Sequence, residues 1–171
     1  MFYHMQLTHE TVVHPIYFGP ELMDIVLKKI YTEVEGSCHG NIGYVISITS
    51  ITEIERGLLV DSGMALYYAK YFAIVFRPFK NEILDGIVKN VNSIGFFAEI
   101  GPILCFVSHQ SMPQGFRFIS KEFPNYFKSE DNEVITIGDP IRIRIIGVRV
   151  DQNKMFCIGT IVDDYLGLLV K

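Results

Sequence analysis

Phe96 and Phe97 follow Gly95 inside an alternating run, GFFAEI, and their placement decides what chemistry this chain can offer. If the run is a strand, successive side chains point to opposite faces. Phe96, Ala98 and Ile100 then share an apolar side, while Phe97 shares the other with the carboxylate of Glu99. A ring presented on a polar side can stack on a nucleic-acid base, a contact worth about 1–3 kcal/mol and tolerant of sequence. Packing beneath a loop or a partner is the other reading of Phe97, and alternation alone leaves both open. In IRIRI, isoleucines alternate with Arg142 and Arg144. These arginines point outward, either to solvent or to phosphates beside that ring. Lys89 and Lys154 could join them, with Asp151 opposing.

Other constellations offer less. His4, His9 and His14 recur every five residues. Zinc pairs want i, i+2 on a strand and i, i+3 or i+4 on a helix, so surface or turn histidines are expected. Cys38 and His39 are adjacent but have no further ligands near them in sequence. No metal site and no cofactor follow. No glycine-rich phosphate loop and no GxSxG are present, and no acidic pair is flanked for acid–base work, so no enzyme is expected. In HPIYFGP, Tyr17 and Phe18 sit in a turn, where two exposed rings are costly without a partner. They either cover a helix entry, as a hydrophobic staple does, or form a docking surface.

The elements that must position these residues follow from patterning. The 171 residues are 49% apolar and 20% charged, enough to bury a core in one or two small domains. The most apolar stretch, MALYYAKYFAIVF, is too short for a membrane span and contains Lys70. MFYHMQLTHE lacks the features of a secretory signal. Three widely spaced cysteines fit free thiols in a reducing compartment, cytosol or nucleus. The net charge is −4, and neither half of the chain has a basic excess. Any RNA contact must therefore be local, weak or helped by partners.

FYHMQLTHETVV reads as a strand with Tyr3, Met5 and Leu7 on one face. Gly19 and Pro20 open a helix whose apolar stripe is Leu22, Met23, Val26, Leu27, Ile30 and Val34, and Gly36 ends it. NIGYVISIT follows as a strand with Ile42, Tyr44, Ile46 and Ile48 on one face; in ALYYAKYFAIVF, Leu66, Tyr68, Phe72, Ile74 and Phe76 share a face. Residues 1–80 thus form a small α+β domain. In 81–171, EILDGIVKNV, GFFAEI, ILCFVS, IRIRIIGVRV and KMFCIGTIV are five strand candidates, with a long excursion, 113–134, read as irregular. The expectation is an all-β five-stranded oligonucleotide-binding (OB) barrel.

Six segments then add up: HPIYFGP, VEGSCHGNIGYVI, FAIVFRPFKNEILDGIV, GFFAEIGPILCFVS, GVRVDQNKMFCIG and the terminal DDYLGLL. In this order, and over essentially the whole chain, they resemble the family of the seventh subunit of eukaryotic RNA polymerase II, the larger member of the polymerase stalk, which has an archaeal counterpart. The resemblance implies a non-catalytic nuclear protein with an N-terminal domain related to RNA-recognition folds and a C-terminal OB barrel. It implies a heterodimer with the fourth subunit, docking of the N-terminal tip on the polymerase core beside its clamp, and a barrel near emerging RNA. HPIYFGP and IERGLLVDSG match the tip loops, which makes Pro15, Tyr17, Phe18, Gly19, Pro20, Glu55, Arg56 and Gly57 the implied core contacts. In related RNA-binding barrels, strand two carries two rings and strand three ends in a histidine. Phe97 matches the second ring; the first reads Ile94, and the histidine reads Ser108 with His109 one step on. Asp151 matches an acid of the last hairpin, and the arginine beyond it reads Lys154 or Met155. With the outward cations read above, the candidate RNA set is Phe97, Lys89, His109, Arg142, Arg144 and Lys154, and weak, sequence-tolerant contact with single-stranded nascent RNA is expected. The alternatives are a free-standing OB-fold RNA-binding factor in translation or RNA decay, and the equivalent stalk subunit of RNA polymerase III.

Overall fold

The computed structural model describes residues 1–40, 42–120, 125–129, 133–151 and 154–169. The chain divides into two compact units, Met1–Arg77 and Pro78–Lys171.

The first unit runs β1 (Phe2–Val13), a 3-10 turn (Pro15–Tyr17), α1 (Leu22–Val34), β2 (Cys38–His39), β3 (Gly43–Ile54), β4 (Leu58–Leu59) and β5 (Ala65–Phe76). The strands pair in the order β1-β5-β3-β2, with β4 also on β5, all antiparallel. Helix α1 begins just after Gly19-Pro20, carries Asp24 in its first turn where the helix dipole favours an acid, and gives way at Gly36, whose φ of +75° suits glycine. Val26, Ile30 and Val34, four apart, are fully buried; Met23, expected on the same stripe, is exposed. The helix meets a sheet face made by Ala65, Tyr67, Ala69, Tyr71, Ala73 and Val75. Alanine at alternate positions lets the helix approach, so the bulkier row Leu66, Tyr68, Phe72 and Ile74 takes the less buried face. In β3, bulges between Val45/Ser47 and Ile48/Ser50 reset the alternation. Val45 and Ile48 are therefore buried and Ile46 is exposed, where simple parity put Ile46 with Ile48.

A polar clamp ties α1 to β1. Glu33 Oε2 accepts from Thr11 Oγ1 at 2.9 Å and from His9 Nε2 at 3.1 Å. Lys29 Nζ lies 3.6 Å from Glu33 Oε1 and donates to the Val12 carbonyl. Burial pushes the Glu33 carboxyl up, but the hydrogen bonds from His9 and Thr11 and the charge of Lys29 outweigh it and hold the group below its usual value.

The second unit contains β6 (Ile83–Asn92), β7 (Gly95–Ile100), β8 (Ile103–Ser108), a 3-10 turn (His109–Ser111), β9 (Arg117–Ile119), β10 (Tyr126–Lys128), β11 (Val134–Ile135), β12 (Pro140–Asp151), β13 (Lys154–Thr160) and β14 (Gly167–Leu168). The expectation of an all-β five-stranded OB barrel is corrected. The strands form a six-stranded mixed sheet in the order β13-β8-β7-β6-β12-β14, with a further β12–β13 pairing, and a separate three-stranded sheet β11-β10-β9. Two features produce this. The terminal GLL of DDYLGLL adds β14 to the edge of β12, helped by Leu169 N–H donating to the Pro140 carbonyl at 3.0 Å. The described part of the excursion is not irregular either: Phe116 and Phe127 are buried with the flanking Met112 and Ile135, and residues 117–119, 126–128 and 134–135 pair as strands. Residues 121–124 and 130–132 of that excursion lie outside the described residues.

β13 runs parallel to β8, placing Cys157 opposite Cys105; the other pairings are antiparallel. The core includes Val88, Val91, Phe96, Ala98, Val107, Ile141, Ile143 and Ile145. Gly159 is required by close packing, since a Cβ there would collide with the Ile143 side chain and come within 2.9 Å of Cys105 Sγ.

Candidate nucleic-acid and docking surfaces

In β7, Phe96 is fully buried while Phe97 is only half-buried. Register places Phe97 beside Asn90 of β6 and Phe106 of β8, and Phe106 beside Ile158 of β13. The Phe97 and Phe106 rings are 4.8 Å apart, tilted by 40°. Two residues along, Glu99, Leu104, Phe156 and Arg149 form the adjoining row of the same face. Phe156 is 39% exposed. The result is a paired-ring platform with a third ring on a neighbouring strand, a surface on which unpaired bases can stack.

Cations are arranged less simply. Lys89 stands in the β-bulge between Val88 and Asn90, next to the Phe97 row, and pairs with Glu99 at 2.7 Å. Arg142 stands opposite Asp85, five positions along β6 from the partner of Phe97, and donates to both carboxylate oxygens at 2.6 and 2.9 Å. Arg144 pairs with Asp163. Both arginines alternate with the buried isoleucines as expected, but each is paired with a carboxylate; sequence could not show this because their partners come from other strands and turns. Lys154 is exposed at the start of β13, opposite Asp151. His109 is turned to structure: its Nε2–H donates to the Phe116 carbonyl at 2.9 Å, its ring contacts Phe127, and its backbone N–H donates to the Ile94 carbonyl. It fastens the three-stranded sheet to the β6–β7 turn.

The facing thiols of the sheet are poor nucleophiles. The Cys105 thiol is pushed up to about 12 by burial and by neighbouring Cys157; Cys157 is pushed up to about 11, chiefly by burial and then by Glu82. Such thiols stay protonated. Among the described residues no three of His, Cys, Asp and Glu gather into a metal set, and no helix is long and apolar enough to cross a membrane.

The tip of the first unit is apolar and exposed. Ile16, Tyr17 and Phe18 stand out from the turn after β1, Leu58, Leu59 and Val60 from β4 and its continuation. A Cβ on Gly63 would lie 3.9 Å from Pro15 Cγ, so the two loops meet. Gly19 and Pro20 are exposed at the helix entry. Glu55 lies 3.4 Å from Lys70, Arg56 is exposed, and Gly57 sits so close to the Tyr67 ring that a Cβ would meet it at 2.6 Å.

Comparison with known proteins bears on both surfaces. Residues 77–157 match the S1 RNA binding domain family, and residues 13–63 match the SHS2 domain found in the N terminus of Rpb7p/Rpc25p/MJ0397. Over 170 residues the chain is 44% identical to DNA-directed RNA polymerase II subunit RPB7 of Glycine max, covering 99% of this chain and 97% of that one. It is 43% identical to subunit rpb7 of Dictyostelium discoideum, covering 99% of both chains. It is 38% identical to RPB7 of Saccharomyces cerevisiae, covering 99% of this chain and 100% of that one.

The chain belongs to the RNA polymerase II subunit 7 family.

It is a non-catalytic stalk subunit of RNA polymerase II, with an SHS2 region followed by an S1 region. The S1 match spans Lys89, Phe97, His109, Arg142, Arg144 and Lys154; the SHS2 match spans Pro15 to Pro20 and Glu55 to Gly57. Sequence reasoning missed Phe106, Phe156 and Arg149 on the ring face and Ile16, Leu58, Leu59 and Val60 at the tip. Alternation in ILCFVS and KMFCIG could have flagged Phe106 and Phe156, because each stands between inward-facing residues. The run LLV in a short, turn-flanked excursion could have flagged the tip.

Proposed function

We propose that this stalk subunit docks on the polymerase II core through its apolar tip, pairs with the fourth subunit, and offers emerging single-stranded RNA the Phe97–Phe106 face, acting in the nucleus. The half-buried Phe97 ring, packed on Phe106 with Lys89 beside it, carries the RNA part of this reading. Rings supply contact that does not depend on net charge, which suits an acidic chain. Among the cations, Lys89, Arg142 and Arg144 are already paired with acids, which leaves Arg149 of the ring face and the exposed Lys154 to meet phosphates. RNA contact is therefore weak and indifferent to sequence, with affinity drawn from the assembly. The docking part is supported by the exposed Ile16, Tyr17, Phe18, Leu58 and Leu59, an apolar cluster that gains by being covered. Pairing with the fourth subunit is supported by family membership and by the exposed Phe2, Ile46 and Ile74 of the first unit.

Two substitutions test the reading. Phe97→Ala weakens crosslinking of the heterodimer to a uridine-rich RNA by about tenfold, within the range for loss of one stacking ring. Phe18→Asp releases the stalk from the core polymerase while the chain still pairs with the fourth subunit. Unchanged crosslinking in the first variant, or unchanged retention on the core in the second, removes the corresponding half of the proposal.

A further inference from the structure

A groove of about 720 Å³ lies between the end of β1 and helix α1 in the first unit, with Tyr17 and Met64 among its walls. Its apolar lining is Val12, Val13 and Ile25; its polar lining is His14, Lys28, Lys29, Thr32 and Glu33. The one acid of that lining is already spoken for, since Glu33 accepts from His9 and Thr11 and faces Lys29. Lys28 is exposed on the helix. His14 Nδ1 accepts from the Ile16 N–H at 3.4 Å, so the ring is in the tautomer that carries its proton on Nε2 and offers a second donor. The groove thus combines an apolar lining with donors and an ammonium whose charge no acid of the lining opposes. Through Tyr17 it continues into the exposed tip formed by Ile16, Phe18 and Leu58 to Val60.

We propose that this groove receives an acidic–apolar segment of the polymerase core, with a bulky aliphatic or aromatic side chain against Val12, Val13 and Ile25 and a carboxylate facing Lys28 and His14. The proposal rests on the core-docking reading above and specifies the chemistry of the docked partner. Charge selects the occupant: Lys29 is held by Glu33, but a basic segment would meet the ammonium of Lys28, whereas a carboxylate is complementary to it. Continuity with the tip selects the source, because a surface that buries Tyr17 also covers the mouth of the groove.

Retention of the full chain on immobilised polymerase core tests this, using Lys28→Glu, Lys28→Arg, Thr32→Trp and Phe18→Asp. Lys28 and Thr32 are exposed, so these variants keep the parent circular dichroism and melting temperature. Lys28→Glu is expected to bind at least about tenfold more weakly, with the deficit shrinking as salt is raised. Thr32→Trp, which fills the groove, binds comparably weakly, and Lys28→Arg binds as the parent does. If Lys28→Glu and Thr32→Trp bind like the parent while Phe18→Asp does not, the groove is no docking site and the tip reading stands. If Phe18→Asp also binds like the parent, the tip reading falls and takes this proposal with it.

Discussion

At the scale of single residues, neighbours in sequence have opposite fates. Phe96 fills the core and Phe97 stands on the outer face, so truncating each has a different readout. Phe96→Ala is expected to cost about 3–5 kcal/mol in a denaturant melt, as large-to-small core changes do, whereas under the proposed function Phe97→Ala is expected to act mainly on RNA crosslinking. Gly159→Ala is the sharper test of packing. A methyl there meets the Ile143 side chain and the Cys105 thiol, so the variant lowers the melting midpoint although it adds only one carbon. This division was legible beforehand because a strand's period is two and Glu99 marked the wet side. The fates of Arg142 and Arg144 were not legible. Their outward direction follows from alternation, but Asp85 and Asp163 are brought to them by pairing that no local pattern encodes.

At the scale of elements, two polar ties join separate strands and turns. Arg142 hydrogen-bonds the Asp85 carboxylate and holds it below its ordinary value of 3.8. A carboxyl depressed in the folded state contributes stability that is present above its unfolded pKa and is lost as pH falls through the lower folded value. An acid titration of the melting midpoint should therefore lose a contribution below about pH 4, and Asp85→Asn should flatten that part of the curve. His109 is the second tie. His109→Ala leaves the Phe116 carbonyl without its donor and is expected to cost about 1 kcal/mol, with faster amide exchange in β9 and β10 and little change in RNA crosslinking. The strands that carry the ring face could be read from sequence, as could helix α1. The three-stranded sheet could not, because its pieces are two or three residues long, shorter than any window in which periodicity accumulates. The bulges of β3 likewise shifted a face that strict alternation had assigned.

At the scale of the whole molecule, a net charge of −4 limits how a transcript can be held. Each phosphate neutralised on a single strand contributes about −0.7 to the slope of log K against log salt. With Lys89, Arg142 and Arg144 already paired to acids, the slope for uridine-rich RNA binding should be only about −1 to −2; a steep value near −5 would mean that charge, not stacking, dominates. The parallel pairing of β8 with β13 has another consequence. Phe156 lies opposite Leu104, so one of the last strands to leave the ribosome is the one that covers a strand made much earlier. Until residues 154–160 emerge, the nascent polypeptide carries an open row of backbone donors and acceptors able to recruit other chains. A stop codon just ahead of Lys154 would leave that row uncovered for good, and translational pausing in this stretch is where demand for chaperones should peak.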